Sequence, residues 1–189
     1  MTVSMTVKGP DPLRFALVGA ASGAITAGLL MALPARWKIE IGDFLMFSSL
    51  SIVAGLVFGI VFGAFLRVRG LAETGTALLY AAASTVSYFV AVNLAFHLLD
   101  AVAEVWQLGL IAGLVGAACL TALAAWLLPF ARRPGPCALM LTAGCLLGAL
   151  LEIPVDGDGG FWHGLLFFAA WQAGYAAAFA TALPRRIEG

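Results

Sequence analysis

Six apolar runs, each close to the length of a membrane-crossing helix, fill most of this 189-residue chain, and the charges between them are sorted by sign onto alternate connections. A hydrocarbon core of roughly 30 Å takes about 20 helical residues to cross. Five runs meet that requirement without an Asp, Glu, Lys or Arg inside: Phe15 to Leu33, Phe44 to Leu66, Gly75 to Leu99, Val105 to Phe130 and Phe161 to Leu183. The sixth, Cys137 to Leu151, is short and reaches full length only by taking in Pro136 on one side and Glu152 with Ile153 on the other. Lipid offers no partners to backbone N–H and C=O groups, so each span must be helical, and the lack of strict apolar/polar alternation argues against a β-barrel. A mean hydropathy of +1.02 with 11% charged residues fits no ordinary water-exposed domain. The sequence therefore predicts one all-α integral membrane domain over residues 1–189, a compact bundle of six transmembrane helices in three antiparallel hairpins, with spans near 15–33, 44–66, 75–99, 105–130, 136–153 and 161–183.

Orientation follows from the cations, which are retained on the cytoplasmic side of short loops. One set of connections carries Lys8, Arg14, Arg67, Arg69, Arg132, Arg133, Arg185 and Arg186 against Asp11, Glu73 and Glu188, a formal +5. The other carries Arg36 and Lys38 against Glu40, Asp43, Asp100, Glu104, Glu152, Asp156 and Asp158, a formal −5. The zero net charge of the whole conceals this asymmetry, which predicts both termini in the cytoplasm of a bacterial cell, the protein lying in the inner (plasma) membrane. Lys8 and Arg14 ahead of the first run imitate a signal peptide, but the run is too long for one and is read as a retained helix. Trp37, Trp106 and Trp162 fall at the predicted outer interface and Trp126 at the inner one, where indoles anchor a helix. Trp171, deeper and beside Gln172, is placed for an interhelical contact.

Membrane helices gain little by exchanging lipid for other apolar side chains and associate through close backbone packing, for which glycines four apart make a flat track. Gly55, Gly59 and Gly63 form the longest such row; Gly19 with Gly23, Gly109 with Gly113 and Gly144 with Gly148 are shorter ones. Packing inside the chain is the favoured use, with contact between subunits as the alternative.

Polar residues within a bilayer require pairing or water, and so mark candidate sites. Asn93, His97, Asp100 and Glu104 follow one face of the third span toward the outer loop, and the predicted topology puts Glu152 and His163 at the same level. Two imidazoles with carboxylates suit a divalent metal, with His97, His163 and Glu152 as the ligands, or proton transfer. Haem held by both histidines is the further cofactor reading. The acidic turn Pro154 to Gly160 departs from a calcium-binding loop, because Gly160 and Phe167 stand where acidic ligands are required. Cys119, Cys137 and Cys145 lie in or beside inner span ends without a C-x-x-C pair, which predicts thiols and no disulfide framework. No nucleotide-binding or catalytic motif is present, so no catalytic residue is assigned and no cofactor is required.

Three classes of function remain open. The first is a non-enzymatic multi-pass subunit or oligomer-forming module packing through glycine-lined faces. The second is a small channel or transporter, for cations, metals or protons, with Asn93, His97, Asp100, Glu152 and His163 along its pathway. The third is an intramembrane redox, haem or metal protein using the same residues. Expected partners are the lipid bilayer and other membrane subunits or further copies of the chain, and no nucleic acid. Topology reporters test the common frame: a fluorescent protein should light up at either end and alkaline phosphatase should be silent at both, whereas an active phosphatase at one end alone would remove the even-span reading.

Overall fold

In a computed structural model, residues 7–8, 11–32, 38–41, 45–98, 101–102, 104–152, 160–183 and 186–187 are described. Among them the chain runs β1 (Val7–Lys8), α1 (Pro12–Ala32), β2 (Lys38–Ile41), β3 (Leu45–Ser48), α2 (Ser49–Val68), α3 (Thr74–Leu98), α4 (Val105–Leu127), a 3-10 turn (Pro129–Arg132), α5 (Pro134–Gly148), a second 3-10 turn (Ala149–Glu152), α6 (Gly160–Ala180) and β4 (Arg186–Ile187). The protein is thus helical and membrane-like. Five of its helical segments, Pro12–Ala32, Ser51–Val68, Thr74–Leu98, Val105–Leu127 and Pro134–Leu151, are long and apolar enough to cross a bilayer.

The strands are short antiparallel ladders at the margins of the bundle: β1 pairs with β4 through Val7 opposite Ile187, and β2 pairs with β3 through Ile39 opposite Phe47. The second ladder explains why α2 starts at Ser49 and not at Phe44, since the backbone of Leu45–Ser48 is paired with Lys38–Ile41. Other helix ends follow local chemistry. Proline cannot donate to the preceding turn, so α4 stops before Pro129, and Arg132 turns its Nε–H back onto the Ala125 carbonyl at 2.8 Å. Pro134 then opens α5 at a position where its missing N–H costs nothing. The fifth span is completed by a tighter 3-10 turn, in keeping with its shortness in sequence. At the end of α2, Gly70 takes φ +67°, its N–H donating to the Arg67 carbonyl at 3.0 Å and the Leu71 N–H to the Leu66 carbonyl at 2.9 Å. This pair of bonds is a Schellman cap, which needs the left-handed conformation glycine adopts without strain.

Each helix packs on the helices before and after it, and α1 packs on α6, so that first and last helices are neighbours. Glycine sets the tightest contacts. A β-carbon built on Gly55 would lie 2.7 Å from the Thr85 Cα, on Gly59 2.5 Å from the Ala81 Cα, and on Gly63 2.8 Å from the Ala77 oxygen. Those partners descend α3 as the glycines ascend α2. In the same manner Gly19 and Gly23 press on the backbone at Gln172 and Phe168, and Gly109 and Gly113 meet Gly148 and Gly144.

The last helix forms the hub. From Phe167 to Ala180 no residue is exposed, whereas α1 presents Leu13, Leu17, Ile25 and Leu29 outward. A helix enclosed by neighbours requires small side chains on several faces, which the alanines between Ala169 and Ala180 supply. Phe179 contacts Phe15 of α1, Phe62 of α2 and Phe130 beyond α4, and Phe58 of α2 meets the Tyr175 ring edge-on at 6.0 Å. Aromatic rings fill the space that glycine contacts leave between the helix pairs. Trp126 and Trp162 are exposed, at 66% and 63%, and Trp106 is more weakly so, while Trp37 lies outside the described residues.

Glycine-mediated approach makes a paired prediction. Gly59→Ala should force α2 from α3 and destabilise the fold by roughly 1–3 kcal/mol, the range for overpacking. Gly28→Ala, where an added methyl meets nothing within 4 Å, should be neutral or stabilise by up to about 1 kcal/mol through helix propensity. Unfolding in mixed micelles followed by circular dichroism measures both.

Candidate functional site

The interior of a membrane-like bundle must account for its polar atoms among its own groups, since each buried donor or acceptor left unbonded costs about 1–3 kcal/mol. Several side chains here meet the requirement within their own helix. Thr26 donates to the Ser22 carbonyl at 3.0 Å, Thr85 to Ala81 at 3.0 Å, Ser87 to Ala83 at 2.9 Å, and the Asn93 amide to Phe89 at 2.9 Å. These are the four-residue back-bonds that let hydroxyls and short amides sit in apolar helices. Trp171 reaches further: its indole N–H donates to the Gly144 carbonyl at 2.9 Å, joining α6 to α5.

A second set of buried polar atoms has no hydrogen-bond partner: Ser22 Oγ, Tyr80 OH, Ser84 Oγ, Tyr88 OH, Thr121 Oγ1, His163 Nδ1, both amide atoms of Gln172, and Tyr175 OH. Most converge. Tyr80, Ser84 and Tyr88 are four apart along α3 and lie on one stripe of it; Gln172 and Tyr175 are three apart on α6; Thr121 comes from α4. Tyr175 interacts with Tyr80 and Thr121, and Tyr88 with Gln172, yet none of these approaches satisfies hydrogen-bond geometry. The rings are tied to the aromatic core: Tyr88 stands edge-on to Trp171 at 5.4 Å, Trp171 stacks on Tyr175 at 5.9 Å, and Phe62 lies 5.8 Å from Tyr80. All three tyrosines of the chain are in this cluster.

The residues singled out from sequence are distributed differently. Asn93 is buried and its amide is bonded to its own helix; His97, one turn on, is exposed; His163 is half-buried near the start of α6. Asp100 and the acidic turn with Asp156 and Asp158 lie outside the described residues, as does the side chain of Glu152, whose backbone closes the 3-10 turn after α5. Among the described residues no three His, Cys, Asp or Glu side chains form a metal-binding group. Cys119, Cys137 and Cys145 are free thiols, Cys137 donating to the Ala131 carbonyl at 3.2 Å. Gly55, Gly59 and Gly63 face α3 of the same chain.

Outside the bundle core, an open cleft of about 540 Å³ lies at the α2–α3 turn, lined by Arg67, Leu71, Glu73 and Thr74, with Arg67 Nε donating to Thr74 Oγ1 at 3.0 Å. Arg67, Glu73 and Thr74 are exposed there. The chemically distinctive place is the cluster of phenols, hydroxyls and one carboxamide, which can exchange hydrogen bonds with a neutral guest. From sequence, Gln172 stood out only beside Trp171, and none of the tyrosines was joined to it. The available signal was compositional: every tyrosine falls within an apolar run, and Tyr80, Ser84 and Tyr88 keep a strict four-residue spacing.

No protein family, curated protein or solved structure matches this chain.

The Trp171 bond yields a direct test. Trp171→Phe should lower stability by about 1 kcal/mol for the lost hydrogen bond, with a further loss from the smaller ring, and should remove the buried component of tryptophan fluorescence, leaving weaker, red-shifted emission because Trp126 and Trp162 are exposed; an unchanged unfolding midpoint would show that the α5–α6 contact does not depend on it.

Proposed function

We propose that this chain is a non-enzymatic, six-span subunit of the bacterial inner membrane, built of three antiparallel hairpins with both ends in the cytoplasm, and that it acts by docking to other membrane chains or to further copies of itself. The observation that carries this reading is the division of its surfaces. The paired glycine tracks on α1, α2, α4 and α5 press on helices of the same chain, while Leu13, Leu17, Leu78, Val86, Leu146 and Leu166 point outward. A bundle closed in this way has little reason to rearrange and offers a preformed apolar shell, which suits lipid and flat helix-to-helix docking. Contact with partners would then be made by these larger side chains, not by glycine rows. The pairing of Val7–Lys8 with Arg186–Ile187 supports placing both ends on one side of the membrane, and the arginines of the connections between α2 and α3 and between α4 and α5 support calling that side cytoplasmic.

A second reading, a small channel or transporter, is favoured by the unpartnered polar atoms between α3, α4 and α6. In it, Asn93, His97, Asp100, Glu152 and His163 form the outer approach, and the acidic outer surface concentrates cations near it.

Isolation from native membranes in mild detergent separates the two. The docking reading expects a particle heavier than the 19.6 kDa chain, with partner chains or copies in fixed ratio by mass spectrometry, and a monomer free of stoichiometric partners would overturn it. The transport reading expects flux in proteoliposomes that His97→Ala and His163→Ala each reduce at least tenfold, and unchanged flux in both would remove those residues from the pathway.

A further inference from the structure

The phenol, hydroxyl and amide atoms at the centre of the bundle require an explanation that packing alone does not supply. Ring packing at Tyr80, Tyr88 and Tyr175 would be served as well by phenylalanine, which the chain uses thirteen times. Tyrosine is used three times, and each time its hydroxyl is delivered to this one region, between 92% and fully buried. Local helix chemistry does not account for the set either. Thr85 and Ser87, on the same helix as Ser84, return their hydroxyls to the carbonyl four residues back, whereas Ser84 and Thr121 do not. Gln172 is fully buried with its acceptor and its donors both unpartnered. Three helices thus aim oxygen and nitrogen atoms at each other's neighbourhood without closing bonds among themselves.

We propose that Tyr80, Tyr88, Thr121, Gln172 and Tyr175 form a binding site for a small uncharged molecule that both donates and accepts hydrogen bonds, a class running from water to a short polyol. Charge is the first discriminator. The described buried polar residues include no Asp, Glu, Lys, Arg or His, so an ion would enter a low-dielectric interior without a counter-charge. Bonding capacity is the second. Hydroxyl hydrogens rotate to serve a donor or an acceptor, and the Gln172 amide offers both roles at fixed positions, which matches a guest with both functions and discriminates against pure acceptors. This inference rests on the bundle lying in a bilayer and not on its docking to partners.

The test uses the full chain in bilayers of chain-deuterated lipid, with carbon-13 at tyrosine Cζ and at phenylalanine ring positions, and follows magnetisation passing from water protons to the protein. The three tyrosines are the only carriers of their label, and single Tyr→Phe variants assign them. Occupancy predicts severalfold faster build-up on the tyrosines than on the bulk of the phenylalanines, which fill the core around them, and loss of that excess at Tyr175 in Thr121→Val, a change that preserves shape. Repeating the measurement in deuterated water with protonated glycerol distinguishes the sources: transfer from glycerol identifies a polyol, and its absence alongside transfer from water identifies water as the occupant. Equal, slow build-up on tyrosine and phenylalanine overturns the proposal, and the wild-type comparison decides even where a variant does not fold. Transfer from protonated lipid to the exposed Trp126 and Trp162 is measured separately, so a failure of membrane placement is distinguishable from a dry interior.

Discussion

Close approach of backbones at glycine is the constraint on which the remaining architecture depends. In a bilayer the apolar surface of one helix is no better placed against another helix than against lipid tails, so association must come from dense packing and from polar contacts. Glycine permits the first. Where Gly59 meets Ala81 and Gly109 meets Gly148, helices approach until backbone atoms touch, and the pairs α1 with α6, α2 with α3 and α4 with α5 become units. Their assembly around α6 then leaves wedges that only large flat side chains fill, which accounts for the run of rings through Phe15, Phe62, Phe179 and Phe58. Dispersion among such rings acts over many weak contacts, and it is effective only because the glycine pairs set the distances.

Polar groups divide into two populations under the same constraint. Some, such as Thr26, Thr85 and Ser87, return their hydroxyls to the backbone of their own helix. Most of those without partners, Tyr80, Tyr88, Thr121, Gln172 and Tyr175, come from α3, α4 and α6. Trp171 lies between the two populations, bonded to Gly144 through its nitrogen and presenting its ring to Tyr88 and Tyr175. It thereby touches both the α5–α6 contact and the tyrosine cluster.

Much of the fold was legible before any coordinates. Hydrophobic run length is a one-dimensional property that a bilayer reads directly, so the helices fall near the places where charges stop, and Pro129 and Pro134 mark the turn between α4 and α5. The glycine rows were visible as spacings, but spacing is blind to which helix occupies the groove. The start of α2 was misplaced because Phe44 to Ser48 is as apolar as the helix it precedes, and ladder pairing with Lys38–Ile41 is a non-local preference. The histidines drew attention as titratable groups near span ends; His97 is exposed in the last turn of α3, and the Asn93 amide donates within its own helix. The tyrosine cluster escaped notice for the opposite reason: its members are weakly polar, lie 33 to 95 positions apart where they join different helices, and acquire meaning only as neighbours.

What this sequence determined by itself is that the chain is helical and membrane-like, roughly where its apolar helices lie, and the sign of the charges between them, because these depend on local composition acting against a uniform solvent. Tertiary structure alone decided that α1 closes on α6, that α6 is the enclosed hub, and that the chain's three tyrosines share one place with Gln172 and Thr121. Such choices turn on contacts between residues far apart in the chain, where shape complementarity selects among many pairings that composition leaves equivalent.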